Sequence, residues 1–373
     1  MSRLRALADP IIRSDLVPSS TTRTLKRMVR RRRRLPGLPA GLEEVEVDAV
    51  CRTEWGRGLK GAFHLPIRSW KNSSASFVWL QLKGGGSRRL IAKVARYSHE
   101  VHAASVDSPL DAGRPELWAY TKAKSDLEAF LPGILLARRS DDGRSYAYLL
   151  EDLNTSFEHP SGPSALKSAL DGMFDMHRAL ARAAGKESTE SGDLLQYDGG
   201  FSERLVGYSG RALSEFAQIT SSGVVTAMAD RWDELAGIYL GAELSDHWEM
   251  TPIHGDYNTG NVFIRTSAPR DTKAVDWEWA GFGIPHADMA SLLKKAEPDV
   301  IHWAMERLSQ NDPGRTASQH QRAFNVSVLE RAILDAGLVA VQYNSDPERF
   351  SSLESWIEGA ATRGLVHLDR LAS

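Results

Sequence analysis

The pattern of apolar residues changes partway along the chain, and this change constrains the fold more than any other feature of the sequence. Between 62 and 150 the apolar residues fall in short runs rich in aromatic and branched side chains: Ala62 to Arg68, Ser76 to Leu82, Arg89 to Ala95, Gly133 to Ala137 and Ser145 to Leu150. Such runs predict strands. Lys83 to Ser87 and Asp141 to Gly143 supply the turns between them. One helix is predicted in this part, over Pro115 to Phe130, where Leu117, Tyr120, Ala123, Leu127 and Phe130 recur at helical spacing behind a proline suited to a first turn. Beyond Leu153 the period becomes helical, over Ala165 to Ala184, Phe201 to Phe216, Val224 to Leu240 and several segments after 287. A strand-rich front and a helix-rich back predict an α+β protein, with a small antiparallel-sheet N-lobe at 41–153 and a mainly helical C-lobe at 154–373. A length of 373 residues agrees, since one core rarely serves so long a chain.

Residues 1–40 stand apart as an extension and linker. Arg23, Lys26 and Arg27 lead into the unbroken run Arg30 to Arg34, followed by the turn-forming Leu35-Pro36-Gly37-Leu38-Pro39. A basic arm at 23–34 would suit nucleic acid or an anionic surface. With no aromatics interleaved, a solvated or helical appendage is the favoured reading. The formal net charge of -2 points to no particular partner. A lone cysteine, Cys51, can form neither an internal disulfide nor a metal cluster, which fits a reducing compartment. No stretch approaches a membrane span and no apolar leader opens the sequence, so a cytoplasmic protein is expected.

The residues that carry chemistry lie at Ile253 to Phe263 (IHGDYNTGNVF) and Lys273 to Glu278 (KAVDWE). A histidine two before an aspartate, an asparagine five after it and a second aspartate twenty after it match the spacing used for phosphoryl transfer. That chemistry needs an acceptor hydroxyl held in line and divalent cations across the phosphates, because charge on the transferred oxygens must be stabilised as the bond breaks. Asp256 would orient the hydroxyl and receive its proton, with His254 bracing the loop. Asn261 and Asp276 would offer hard oxygen ligands of the kind Mg²⁺ takes. The apolar residues around them predict a hairpin that brings Asn261 and Asp276 together. Glu278, two residues on in an extended segment, would face the same side and hold a second cation or a metal-bound water. Singly, HGD reads as a turn and DWE as a strand end; the order and spacing together carry the reading.

His254-Gly255-Asp256, Asn261 and Asp276-Trp277-Glu278 resemble the signature of the aminoglycoside phosphotransferase and choline kinase family, relatives of the protein kinases, over residues 45–373. The resemblance implies a two-lobed protein-kinase-like fold, ATP or GTP as phosphate donor, Mg²⁺, and a small-molecule hydroxyl acceptor such as an amino sugar, an aminoglycoside, another sugar or a choline-like amine. It further implies a third-strand lysine on the phosphates, for which Lys93 stands in place, and a helical glutamate paired with it. Glu116 matches best, and Glu128 less well. Tyr148 to Leu153 resembles the inter-lobe hinge, where backbone groups from Glu151 to Leu153 would meet adenine. The loop Ser69 to Ala75, between the first two strands, has no glycine; Ser73 and Ser74 would face the phosphates, as in serine-rich members of the family. Asp288 matches an aspartate that steadies the catalytic loop, although a helix N-cap explains it equally well.

Gly56 to Gly61 spells a literal GxGxxG behind strand-like Val45 to Val50. No helix is predicted to follow it, as a dinucleotide site requires, so it is read as a decoy. Trp277, Trp279, Trp303 and Trp356 could wall a substrate site, and Glu297, Asp299 and Glu306 could hold an amine, but core packing and a solvated helix face explain them too. A catalytically silent scaffold with a basic arm is the other class that the sequence allows. A protein kinase is less fitting, since HGD replaces HRD and no DFG or APE follows.

Overall fold

The computed structural model describes residues 35–69, 73–96, 113–143, 145–185, 193–241, 248–265, 267–345 and 353–372; the basic run at 23–34 lies outside them. The described chain forms two compact units. The first takes 35–96, 113–124 and 131–156, and the second takes 125–130 and everything from Phe157 onward.

In the first unit β1 (Leu35–Pro36), β2 (Leu59–Ser69), β3 (Ser73–Leu82), β4 (Ser87–Arg96), β5 (Ile134–Arg139) and β6 (Ser145–Glu151) make one antiparallel sheet in the order β1-β2-β3-β4-β6-β5. The meander needs only tight turns, here the glycines Gly84 to Gly86 and the turn at Asp141 to Gly143. Alternation sends Val78, Leu80, Leu82, Leu90, Ala92, Ala147 and Leu149 to one face, where they join Val47 and Cys51 in a single core. Each large apolar side chain buried this way contributes about 1.5–3 kcal/mol. Leu35 and Pro36, expected in a linker, pair with His64 and Phe63 at the sheet edge.

Two expectations in this unit are corrected. Val45 to Val50 is helix, not strand: α1 (Glu44–Trp55) begins with reciprocal bonds between Glu43 and Glu46 and ends at Gly56, whose φ of 64 only glycine adopts easily. The valines suggested a strand, but Val47 and Cys51 lie four apart on the buried face of a helix. The GxGxxG is thus a helix cap running into β2. The helix over 115–130 is also interrupted. α2 (Gly113–Tyr120) closes where the Thr121 hydroxyl donates to the Leu117 carbonyl (2.6 Å) and the Ala123 N–H reaches the Trp118 carbonyl (3.0 Å), before a short turn at Lys124–Leu127 and a 3₁₀ turn at Glu128–Phe130.

The second unit is mostly helical: α3 (Pro163–Ala184), α4 (Gly199–Ala217), α5 (Gly223–Asp230), α6 (Trp232–Leu240), α7 (Pro285–Leu293), α8 (Pro298–Asn311), α9 (Ala317–Ser345) and α10 (Glu354–Ala372). The single helix expected over 224–240 is two, broken at Arg231, whose backbone is non-helical (φ -98, ψ 15) and whose side chain pairs with Glu234 and Asp369. α9 is central, packing on α4, α7 and α10, with Val326, Leu329, Ile333, Ala336 and Ala340 in the core. A Cβ on Gly337 would lie 2.1 Å from the Ser209 Oγ and 2.7 Å from its Cα, so α9 and α4 meet backbone to backbone there. Two small sheets interrupt the helices: the hairpin β9 (Val262–Arg265) with β10 (Ala268–Ala274), and β7 (Leu195–Gln196), β11 (Gly281–Gly283) and β8 (Thr251–Ile253) in that order. No helix among the described residues is long and apolar enough to cross a membrane.

Buried His286 sits beside Trp248, with its Nε2 3.2 Å from His320 Nδ1. Burial, with His320 and Arg315 adding to it, pushes its pKa from 6.5 down to about 3. Stability from a depressed histidine is present above the unfolded value and is lost as the pH falls through the folded one, here between 6.5 and about 3. The expected loss is about 3–5 kcal/mol. Thermal melts from about pH 7 to about pH 3 should show a falling Tm that His286→Phe flattens, and a wild-type profile flat in this window would contradict the assignment.

Candidate active site

Short β8 pairs antiparallel with β11, Ile253 opposite Gly281, and delivers the chain into the loop His254-Gly255-Asp256. The turn is feasible because residue 255 is glycine. Its φ is 78, and a Cβ there would lie 2.0 Å from the Trp279 carbonyl oxygen, an atom that already accepts from the Tyr197 hydroxyl (2.5 Å). Gly255→Ala therefore needs both a left-handed alanine and a displaced peptide. Turnover should fall about 100-fold, the scale of losing the positioned aspartate, with the fold retained by circular dichroism; full activity would mean the loop tolerates another shape.

Loop geometry is fixed mainly from beneath by Asp288. Its Oδ1 accepts from the Gly255 N–H (2.8 Å), and its Oδ2 accepts from the His254 N–H (2.8 Å) and His177 Nε2 (2.8 Å). Burial pushes the Asp288 carboxyl upward, but His177 and the donated N–H bonds outweigh it and hold the pKa below the usual carboxylate range. Asp288 is not the N-cap, a position taken by Ile284; it lies inside the first turn of α7, wholly buried. The capping alternative is thereby corrected.

His254 carries its proton on Nε2, because Nδ1 must accept from the Asp256 N–H (3.3 Å). Nε2 then donates to the Val275 carbonyl (3.2 Å). Burial lowers its pKa, so it sits neutral as a brace, despite the pull of Asp288, Asp256 and Asp276. Tyr257, fully buried, ties the loop to α3 by donating to the Ala169 carbonyl (3.0 Å).

The Asp256 carboxylate is fully oriented. Oδ1 accepts from Asn258 Nδ2 (2.8 Å) and pairs with Arg331 Nη2 (2.5 Å), while Oδ2 accepts from Asn261 Nδ2 (2.8 Å). Asn261 ends the loop where β9 begins, and its carbonyl accepts from the Val275 N–H (2.9 Å) where β10 ends. The hairpin thus brings Asn261 next to the strand that ends at Asp276. Asp276 takes the left-handed conformation (φ 68, ψ 58), the one non-glycine among the described residues with positive φ, a strain of about 1–2 kcal/mol. Trp277–Trp279 then forms a 3₁₀ turn, so the extended segment expected to align Glu278 with Asp276 is absent. Trp277 is core, its indole N–H donating to the Ala274 carbonyl.

In the first unit, Lys93 Nζ meets Glu116 Oε2 at 2.8 Å, joining β4 to α2; both side chains are largely buried, the glutamate at 1% exposure. Register sets Lys93 opposite Ala75 and Tyr148, on the face where Tyr120 of α2 packs edge-on against Tyr148. Ser73 pairs with Ala95 and Ser74 with Val94; Ser74, half-buried, falls on the strand face opposite to Lys93, so the two side chains are not brought together. Trp70, Lys71 and Asn72 lie outside the described residues. Glu151 ends β6 with its carboxylate accepting from the Gly133 N–H (3.0 Å). Leu153 is buried in a 3₁₀ turn capped by Asp152, which pairs with Arg89.

Sequence reasoning missed Arg331, His177, Tyr197 and Asn258. Arg331 had a signal: Glu330-Arg331 interrupts the otherwise apolar stretch Val326 to Val339, with Asp335 one turn on. Its guanidinium also reaches Asp335 through Nε (3.0 Å) and the Gly255 carbonyl through Nη1 (3.4 Å).

A small antiparallel sheet carrying a lysine–glutamate pair, and a helical unit carrying an aspartate loop and the β9–β10 hairpin, define a kinase-like fold. The chain belongs to the phosphotransferase enzyme family, whose sequence model matches residues 131–319, just over half of its length. Solved structures of similar fold include a thermostable mutant of aminoglycoside phosphotransferase APH(4)-Ia with AMP-PNP and hygromycin B (14% identity, TM-score 0.53, covering 88% of this chain and 99% of that one). Aminoglycoside 2'-phosphotransferase-IIIa in its GDP complex is similar too (11%, 0.51, 88% and 98%), as is a choline/ethanolamine kinase family protein from Mesorhizobium loti (13%, 0.50, 83% and 92%). No curated protein matches the sequence.

Proposed function

We propose that this protein transfers the terminal phosphoryl group of ATP or GTP to a hydroxyl of a small molecule. The observation that carries the reading is Asp256, held on a tight loop with both carboxylate oxygens oriented, beside an asparagine whose amide nitrogen is committed to it. In the transfer, the acceptor oxygen forms a bond to phosphorus as the bond to the nucleotide's leaving oxygen breaks. Asp256 aligns the hydroxyl and takes its proton. Lys93, fixed by Glu116, is the cation for the nucleotide phosphates in the first unit. Adenine or guanine recognition falls to the Glu151 to Leu153 backbone, with Ser73 and Ser74 near the tip of the phosphate-side hairpin.

The donor set fits Mg²⁺. With its nitrogen on Asp256, Asn261 keeps a neutral oxygen for a hard cation, and Asp276, where β10 ends, adds a carboxylate, while Glu278, turned away from the extended path, is the weaker candidate. Mg²⁺ takes one or two protein carboxylates and completes its shell with waters and phosphate oxygens. Asn261 and Asp276 would hold such a cation, and the chemistry it would supply is positive charge against the phosphates.

The test is ATP and GTP turnover with Mg²⁺ over a panel of amino sugars, neutral sugars, aminoglycosides, choline and hydroxy acids. Acceptor-dependent turnover supports the reading, whereas absence of any nucleotide binding favours a silent scaffold. Lys93→Met should raise the nucleotide KM roughly 10–100-fold, the scale of a lost charge-assisted hydrogen bond. An unchanged KM would remove Lys93 from the site.

A further inference from the structure

Close to Asp256 the second unit gathers three cations, Arg331, Lys294 and Arg363, around one buried carboxylate, Asp335. Arg331, on α9, holds Asp256 through Nη2 and Asp335 through Nε. The Oδ2 of Asp335 also meets Lys294 Nζ (3.0 Å), from the end of α7, and Arg363 Nη2 (3.1 Å), from α10. All five side chains are at most 17% exposed. Three cations therefore share the two oxygens of Asp335, and one of them, Arg331, also holds Asp256. Glu330 is the further acid beside Arg331; burial pushes its pKa up to about 7, against the pull of Tyr239 and Arg331, so it supplies less than a full charge at neutral pH.

A surplus buried cation is costly unless an anion joins it. Burial works against the charge on both Lys294 and Arg363, lowering each pKa. Arg331 differs: burial opposes its charge, but Asp256 and Asp335 outweigh that and keep it more firmly protonated than an ordinary arginine. A guanidinium fixed beside the reacting carboxylate, with two more cations one carboxylate away, is a built receptor for a carboxylate or phosphate. A polyamine would meet like charges there.

We infer that the acceptor is an anionic hydroxyl compound, whose carboxylate or phosphate group is received by the cluster of Arg331, Lys294 and Arg363 while its hydroxyl lies on Asp256. This rests on the reading of Asp256 as the site of transfer. Arg331 orients both partners, and Lys294 and Arg363 set the charge preference.

Charge can be varied on one carbon skeleton: glucose, gluconate, glucose 6-phosphate and glucosamine, with kanamycin as a polycation. With Mg-ATP, the two anions should give kcat/KM at least tenfold above glucose, glucosamine and kanamycin, a difference of about 1.4 kcal/mol. Arg363→Gln should reduce that preference at least fivefold, whereas Arg178→Gln, which removes an exposed arginine on α3, should not. A second measurement does not depend on turnover: at equal ionic strength gluconate and glucose 6-phosphate should raise the Tm of wild type more than of Arg363→Gln. Equal shifts in both proteins, or a preference for glucosamine or kanamycin, would overturn the inference. Turnover that survives Asp256→Asn would instead overturn the underlying site, so the two failures are told apart.

Discussion

Asp256→Asn is expected to lower kcat by about 10²–10⁴-fold, the range for removing a positioned proton acceptor, while nucleotide affinity by calorimetry stays within a few-fold of wild type. The isosteric change is more disruptive than it looks. Asn258 and Arg331 donate to one carboxylate oxygen and Asn261 to the other, so an amide nitrogen at either position faces a donor. Arg331 also loses a counter-charge, which should cost stability as well as rate. Loss of turnover together with retained nucleotide binding is the expected pair of results. Turnover near that of wild type would remove Asp256 from the chemistry.

Asp288→Asn should lower stability and rate together, although Asp288 touches no reacting atom. Both oxygens of Asp288 are occupied by donors: the Gly255 N–H on one, the His254 N–H and His177 on the other. An amide there leaves at least one buried donor unpaired and His177 without its carboxylate. The expected cost is about 3–5 kcal/mol, the scale for breaking a buried pair by removing one partner. The Tm should drop by several degrees, and kcat should fall at least tenfold because the loop loses its floor. Denaturant unfolding gives the stability and steady-state kinetics the rate; a variant that matches wild type in both would show that the loop holds its shape without Asp288.

The parts legible in the sequence were those whose geometry is set locally. His254 to Asn261 lies in eight consecutive residues, and the hairpin that carries Asn261 back to Asp276 is announced by the apolar residues that flank them, Val262 to Ile264 and Ala274-Val275. The sheet was legible because its strands alternate and are joined by short turns. Valines misled at 45–50, where burial follows a helical stripe that β propensity cannot detect. Helix breaks at Thr121 and Arg231 depend on side-chain bonds and on distant partners such as Asp369, which spacing does not report. Glu278 was misaligned because a 3₁₀ turn replaces an extended step. Arg331 escaped because it joins Asp256 across 75 positions, a pairing that only the packing of α9 creates.

That packing has a mechanical side. Gly337 is the place where α9 lies against the backbone of α4, six residues from Arg331 and therefore about 9 Å along the helix axis. The contact acts as a thrust bearing for α9: any side chain at 337 would push the helix away and lengthen the reach of Arg331 to Asp256. Volume at one helix crossing and charge at Asp256 are thus settings of the same part, and enlarging residue 337 changes the electrostatics of a carboxylate it never touches.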